Sequence, residues 1–376
     1  MKQTGSTTLK KAVPFLLFAA ALAAACGLLI FPSDAADGAR SGLGYCLNIL
    51  VPSLFPFMVL STFLVKSGLS EQIGKILGGA TRVLFRLPGC TAATILMSMI
   101  GGYPVGARGI AALWEEGSIT DREAERMLCF CVNAGPAFVI SVVGSALLRS
   151  AALGVILFFS QIGASVLLGI LSGITAKSEK RTPSSKKESA GGAALILSVS
   201  DAAKGMLNMC TFVILFAVLL AVLRASGAAQ AFCQILLRLG FPPSVSAVLL
   251  SILLEVTGGC YDAASMNAGL ALLSFGIGWG GLCVHFQVLS SVTSIRLSRL
   301  KFTLFRLLHG LAAALITTAL LRFFPQSVET FGSAAAPLSA QISGSGPAAA
   351  ALVVLCAAFL MSVGKDGGGK AKRGVV

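Results

Sequence analysis

Long, nearly unbroken apolar runs separated by short polar joints dominate the chain. Runs of about 18 or more apolar residues are long enough to cross a bilayer as helices. The segments that qualify are 12–31, 43–65, 127–148, 151–176, 205–223, 278–295, 303–323 and 347–363. In lipid every backbone amide and carbonyl must be paired within the protein, which leaves helices or a closed barrel. Barrel strands alternate apolar and polar positions. These runs do not alternate, so the pattern predicts an all-α, polytopic membrane protein. Two further apolar stretches are interrupted: 90–114 by Gly101-Gly102-Tyr103-Pro104 and Gly106, and 244–273 by Thr257-Gly258-Gly259. Residues 70–86 mix apolar and polar positions as a helix lying at the membrane surface does. Thr120 or Asp121 is placed to cap a charged helix start before 127–148.

The placement of charge orients these elements. Cytoplasmic loops carry an excess of Lys and Arg. Lys2, Lys10 and Lys11 put the N-terminus inside, and the first run exits to Asp34 and Asp37. The most hydrophilic stretch, 177–189, holds Lys177, Lys180, Arg181, Lys186 and Lys187 and belongs inside. Counting back, 115–126 is inside too. Segment 90–114 therefore enters and leaves on one face, as a re-entrant hairpin. Segment 244–273 reads as a second hairpin, from the outer face. Every Lys and Arg then lies at the inner side except Arg40, Arg149, Arg224, Arg238 and Arg322. The first run also has features of a secretory signal or lipid-attachment site, with Ala23-Ala24-Ala25 before Cys26. It continues to Phe31, long enough to span, and a retained helix is expected.

Composition agrees. The chain is 56% hydrophobic and only 12% charged, against about 25% charged in a soluble domain. The net charge of +14 sits at the ends of apolar runs rather than in a basic stripe, so nucleic-acid binding is not expected. Ten cysteines are scattered without a C-x-x-C pair, and neither a metal site nor a disulfide framework is expected. There is no G-x-x-x-x-G-K-[ST] loop and no H-E-x-x-H motif. No cofactor, direct ATP drive or enzymatic activity is expected.

The two halves resemble one another. Leu47-Asn48 opens a helix ending near Ser67-Gly68, as Leu207-Asn208 opens one ending near Ser226-Gly227. Gly101-Gly102-Tyr103 matches Gly258-Gly259-Cys260, and Leu128-Cys129 matches Leu282-Cys283, bringing Asn133 opposite Gln287. Helix 43–65 runs inward and 205–223 outward, so the repeats are inverted. The organisation expected is an N-terminal helix (1–40), a first repeat (41–176), a basic loop (177–200), a second repeat (201–325), and a last helix with a basic tail (326–376). Inverted repeats with discontinuous helices are the architecture of many secondary transporters, whose sites lie at the breaks.

Polar groups inside apolar runs are expensive and are candidates by default. Glu255, just before Thr257, Gly258 and Gly259, is positioned to bind a cation or carry a coupling proton; the alternative is a structural partner for a basic residue or a hairpin tip. His285 and Gln287 can relay protons or hydrogen-bond between helices. Asn133 opens Asn133-Ala134-Gly135-Pro136, which breaks the matching helix of the first repeat; the proline frees a carbonyl, and the alternative is a simple kink. Gly101, Gly102 and Tyr103 form the first break, and Asn48 and Asn208 occupy equivalent repeat positions. His309 is expected to be a packing residue.

Several of these stretches carry a resemblance. They are Val51-Pro52-Ser53-Leu54-Phe55-Pro56-Phe57, Gly101-Gly102-Tyr103-Pro104-Val105-Gly106-Ala107, Asn133 to Pro136, Leu254-Glu255-Val256-Thr257-Gly258-Gly259, Gly281 to Val288, and Arg306-Leu307-Leu308-His309-Gly310. The chain resembles the sporulation integral membrane protein YlbJ family, which carries a nucleoside-recognition or Gate domain. The resemblance implies a fold related to concentrative nucleoside transporters and a role in endospore formation. It also implies movement of dipicolinic acid across the outer forespore membrane. The expected partners are membrane lipid, a small solute such as dipicolinate or a nucleoside, and a coupling proton or sodium ion. Self-association stays open. The alternatives are a nucleoside or nucleobase transporter of the plasma membrane, and a non-transporting membrane scaffold of sporulation.

Overall fold

The computed structural model describes residues 15, 18, 19, 21–174 and 193–324. The basic loop 177–189, the last apolar run 347–363 and residues 12–14, 16, 17 and 20 of the first run lie outside the described residues. Fifteen helices, and no strand, make up the described part: α1 (Ala21–Ile30), α2 (Pro32–Lys66), α3 (Leu69–Phe85), α4 (Gly89–Ile100), α5 (Tyr103–Glu115), α6 (Asp121–Leu128), α7 (Ala137–Leu147), α8 (Ala151–Ile174), α9 (Ala194–Ala225), α10 (Ala228–Arg238), α11 (Pro243–Leu254), α12 (Val256–Ser265), α13 (Leu270–Trp279), α14 (Gly281–Ser291) and α15 (Arg299–Phe323). Five stretches are long and apolar enough to cross a membrane: α2, α8, α9, α13 with α14, and α15. A sixth is counted if α3 and α4, bent by 101° at their junction, act as one. The protein is an all-helical integral membrane protein.

The same series of elements occurs twice. A long helix (α2, α9) ends at a left-handed glycine, Gly68 or Gly227, each with φ +77°, where only glycine avoids a Cβ clash. A short helix follows (α3, α10). A proline, Pro88 or Pro242, then precedes a hairpin of two half-helices (α4–α5, α11–α12). Next comes a broken helix (α6–α7, α13–α14), and finally a long span (α8, α15). The α3 helix carries Ile76 and Val83 almost fully exposed beside Glu71 and Lys75, as expected of the surface helix at 70–86.

The long helices α2 and α9 pack along each other through small residues. A Cβ on Gly38 would lie 2.8 Å from that of Ala221, and one on Gly42 would lie 2.9 Å from the Cα of Ile214. Between helices in lipid, close approach of this kind supplies the dispersion contact that a hydrophobic effect cannot. The core runs through α4–α8 and α11–α15, with Phe130, Leu113, Ile110, Ile252 and Phe302 fully enclosed.

Three expectations are corrected. The run 127–148 is not one span, and its break is longer than Asn133–Pro136: α6 ends at Leu128, residues 129–135 are unwound, and α7 is wound as a π-helix. Pro136 cannot donate to the helical ladder, and Gly135 packs against backbone, which together account for the break. The run 278–295 is part of a longer span beginning at Leu270, broken at Gly280. The second hairpin is interrupted at Glu255; Thr257, Gly258 and Gly259 lie in the first turn of α12. Thr120 is the α6 cap, forming a reciprocal capping box with Glu123.

Charges assigned to the inner side gather in two groups. Lys66 and Arg108 both reach Asp201, the former as a 2.8 Å ion pair and the latter at its carbonyl. Arg86 donates to the Ile174 carbonyl, Arg126 to the carbonyls of Phe85 and Arg86, and Lys301 to Glu125. Partial burial raises the Glu125 carboxyl, but the Lys301 ammonium and the Ser298 amide outweigh it and hold the group below its usual range.

Candidate functional site

The first hairpin turns at Gly101-Gly102. Gly102 has φ +91° and ψ 176°, a conformation confined to glycine, and Pro104 then sits in the first turn of α5, where a missing amide costs nothing. The second hairpin turns on Glu255 alone, which is extended (φ −145°, ψ 126°) between α11 and α12. Its carboxylate folds back and caps α12, accepting the amides of Thr257 at 2.8 Å and Gly258 at 2.6 Å. A helix N-terminus favours negative charge, so the helix itself supports this carboxylate. Glu255 is only 3% exposed, and among the described residues no Lys, Arg or His pairs with it.

In each half the following broken helix leans on its hairpin. A Cβ on Gly135 would lie 2.9 Å from the Ile100 carbonyl and 3.0 Å from the Gly102 amide. A Cβ on Gly281 (φ +70°) would lie 2.9 Å from the Leu254 carbonyl and 3.0 Å from the Glu255 Cα. Gly259 packs its bare Cα against the Ile252 backbone, holding α11 and α12 together. Four breaks thus meet pairwise at backbone contact distance.

Both pairs face one cavity. Gly102, Tyr103 and Gly135 line it from the first half, and Glu255, Thr257 and Gln287 from the second. The long helices close it with Ser53 and Leu54 from α2 and with Met209 and Val213 from α9. Its volume is about 30 Å³, room for a water or two and far below the several hundred Å³ of a solute pocket. At that volume the cavity holds no such solute.

The remaining sequence-derived candidates sit elsewhere. His285 points away from the cavity: its Nδ1 lies 2.8 Å from the Gly281 carbonyl, and its ring packs on Trp279 and Phe302. Asn133 donates to the Phe130 carbonyl and to Ser165 within the unwound stretch. Asn208 donates to Ser290, tying α9 to α14, and Asn48 is exposed on the outer side of α2. Gly101 and Gly258 sit beside the breaks without lining the cavity.

One residue escaped the sequence reading. Arg306 counted among the inner-side charges, but it is fully buried. It donates to the Val132 carbonyl in the unwound stretch and to the Gly278 carbonyl at the end of α13. A third contact, to His309 Nδ1 at 3.4 Å, makes that nitrogen an acceptor, because a guanidinium only donates. Tyr103 donates to the neighbouring Ile277 carbonyl at 2.6 Å. Arg306 lies about 10 Å along α15 from Arg299. That depth, in an otherwise apolar stretch, was the available signal; the nearby Arg299 and Lys301 masked it.

The segment from α2 to the turn after α7 holds the first hairpin, its break and the unwound stretch that supports it. Residues 47–149 match Gate, described as nucleoside recognition. The match lies wholly within the first half of the chain. The Gate segment stops just short of α8, so it covers the first half's discontinuous elements. The chain is also 26% identical over 318 residues to the sporulation integral membrane protein YlbJ of Bacillus subtilis (strain 168), covering 77% of this chain and 78% of that protein. That similarity extends past the Gate segment into the second half. No solved structure matches.

Proposed function

We propose that the protein is a secondary transporter of a small polar or anionic solute, built from two inverted repeats. The solute would pass through the cavity between the hairpin breaks. The observation that carries this reading is the convergence of four backbone breaks on one small cavity with a buried carboxylate at its wall. Unwound backbone offers free amides and carbonyls that replace a solute's water shell, and such sites suit alternating access. Glu255 is the proton carrier in this reading. It has no basic partner among the described residues, and a titrating carboxylate lets an anion move with a compensating proton.

The relative's name points to sporulation. The solute proposed is dipicolinate, a small aromatic dianion, moved across the outer forespore membrane. Amides at half-helix N-termini suit such an anion. The Gate description favours a second reading, a nucleoside solute at the bacterial cell membrane. The deciding experiment is spore dipicolinate content in a deletion strain whose synthesis genes are intact. The proposal expects a severe loss that the wild-type gene restores. Normal dipicolinate content would exclude that solute.

A further inference from the structure

Arg306 is a buried cation without a carboxylate: among the described residues no Asp or Glu pairs with it. Burying an unpaired charge costs several kcal/mol, so something must offset it. The offset comes from backbone. Gly278 lies in the last turn of α13, whose C-terminal carbonyls have no helical partner and carry the negative end of the helix dipole. Val132 lies in the stretch unwound between α6 and α7. One guanidinium therefore bridges carbonyls freed by the broken helix of each half, and Tyr103 satisfies the adjoining carbonyl of Ile277. Carbonyls freed by unwinding and by half-helix C-termini are the groups with which discontinuous transporter helices hold sodium.

We infer that Arg306 is the protein's resident cation, held on the free carbonyls of both broken helices in the place of a bound sodium ion. The fork geometry of a guanidinium suits two carbonyls from different elements better than an ammonium does. The consequence for the transport cycle rests on the proposed function: sodium is not the coupling ion at this position, which leaves the proton on Glu255. Occupancy of the carbonyls is testable without any transport.

The full-length protein, purified in detergent, is melted in sodium chloride and in choline chloride of equal strength. Wild type should melt at the same temperature in both. Arg306→Ala should melt lower in choline and regain about 2 °C or more when sodium replaces it, because the vacated carbonyls bind the ion. Arg306→Gln, which removes the charge at smaller loss of volume, carries the same readout should the alanine variant not fold. Arg306→Lys, still cationic, should stay insensitive to sodium. A wild type stabilised by sodium would overturn the inference, since the ion would then have a site beside Arg306. Variants destabilised equally in both salts would overturn it too, reducing Arg306 to a packing residue. Failure of dipicolinate uptake with these melting results intact would count against the transport reading alone.

Discussion

Gly281→Ala tests the contact between α14 and the Glu255 break. Gly281 has φ +70°, and a non-glycine residue held in that left-handed region costs about 1–2 kcal/mol. The added methyl would lie 2.9 Å from the Leu254 carbonyl oxygen and 3.0 Å from both the Cα and the amide nitrogen of Glu255. These are backbone atoms and cannot rotate aside, so overpacking adds about 1–3 kcal/mol. The sum, roughly 2–5 kcal/mol, corresponds to a fall in melting temperature of roughly 3–6 °C for a chain of this size. The control is Gly79→Ala. Gly79 is exposed on α3 with nothing within 4 Å of a built Cβ. There alanine should stabilise by about 0.5–1 kcal/mol. Both variants are melted in the same detergent. A Gly281→Ala protein melting within 1 °C of wild type would show that α14 does not press on the Glu255 break.

Tyr103→Phe leaves the Ile277 carbonyl buried without its donor, and should lower stability by about 1–3 kcal/mol with the protein still inserted; an unchanged melting curve would show the hydroxyl is not a tie between the first hairpin and α13. Glu125 pairs with Lys301 at 2.6 Å with both side chains partly exposed, so Glu125→Gln should cost no more than about 1 kcal/mol at neutral pH. Its carboxyl is held below the usual range, so the pair contributes at pH values above that range. The contribution fades as pH falls through the lowered value. Wild type and Glu125→Gln should therefore converge in acid, and a gap that persists there would show the contact is not electrostatic.

The sequence made the membrane class and the repeat order readable because both follow from local pattern. Apolar run length sets the spans, and glycines at Gly68, Gly102 and Gly227 mark turns that other residues resist. Breaks inside continuous apolar text were harder to place. The proline of Asn133-Ala134-Gly135-Pro136 signalled a break inside 127–148, but the unwinding back to residue 129 depends on backbone packing of Gly135 against the first hairpin, a contact formed only in three dimensions. The second break was placed two residues late, at Thr257-Gly258-Gly259, because glycines signal breaks whereas an extended Glu255 capping its own helix does not. Glu255, Thr257, Gln287, Gly102 and Tyr103 share a cavity, as the broken-hairpin pattern led one to expect. His285 lies off it, since one helix face carries Val284 and Gln287 to the cavity and the other carries His285 to Trp279 and Phe302.

Glu255→Gln is the most direct test of the central claim, that the buried carboxylate couples solute movement to protons. The carboxylate accepts two backbone amides, one on each oxygen. A glutamine side chain keeps one accepting oxygen and sets an NH2 donor against the other amide, so a melting curve must accompany transport. Dipicolinate uptake is measured in vesicles with and without an imposed pH gradient, for wild type, Glu255→Gln and Glu255→Asp. Wild type should accumulate dipicolinate against its gradient in a pH-dependent manner. Glu255→Asp should keep part of that activity. Glu255→Gln should still exchange solute down a gradient while losing accumulation. Uphill uptake by Glu255→Gln with unchanged pH dependence would contradict the account and leave Glu255 as a helix cap.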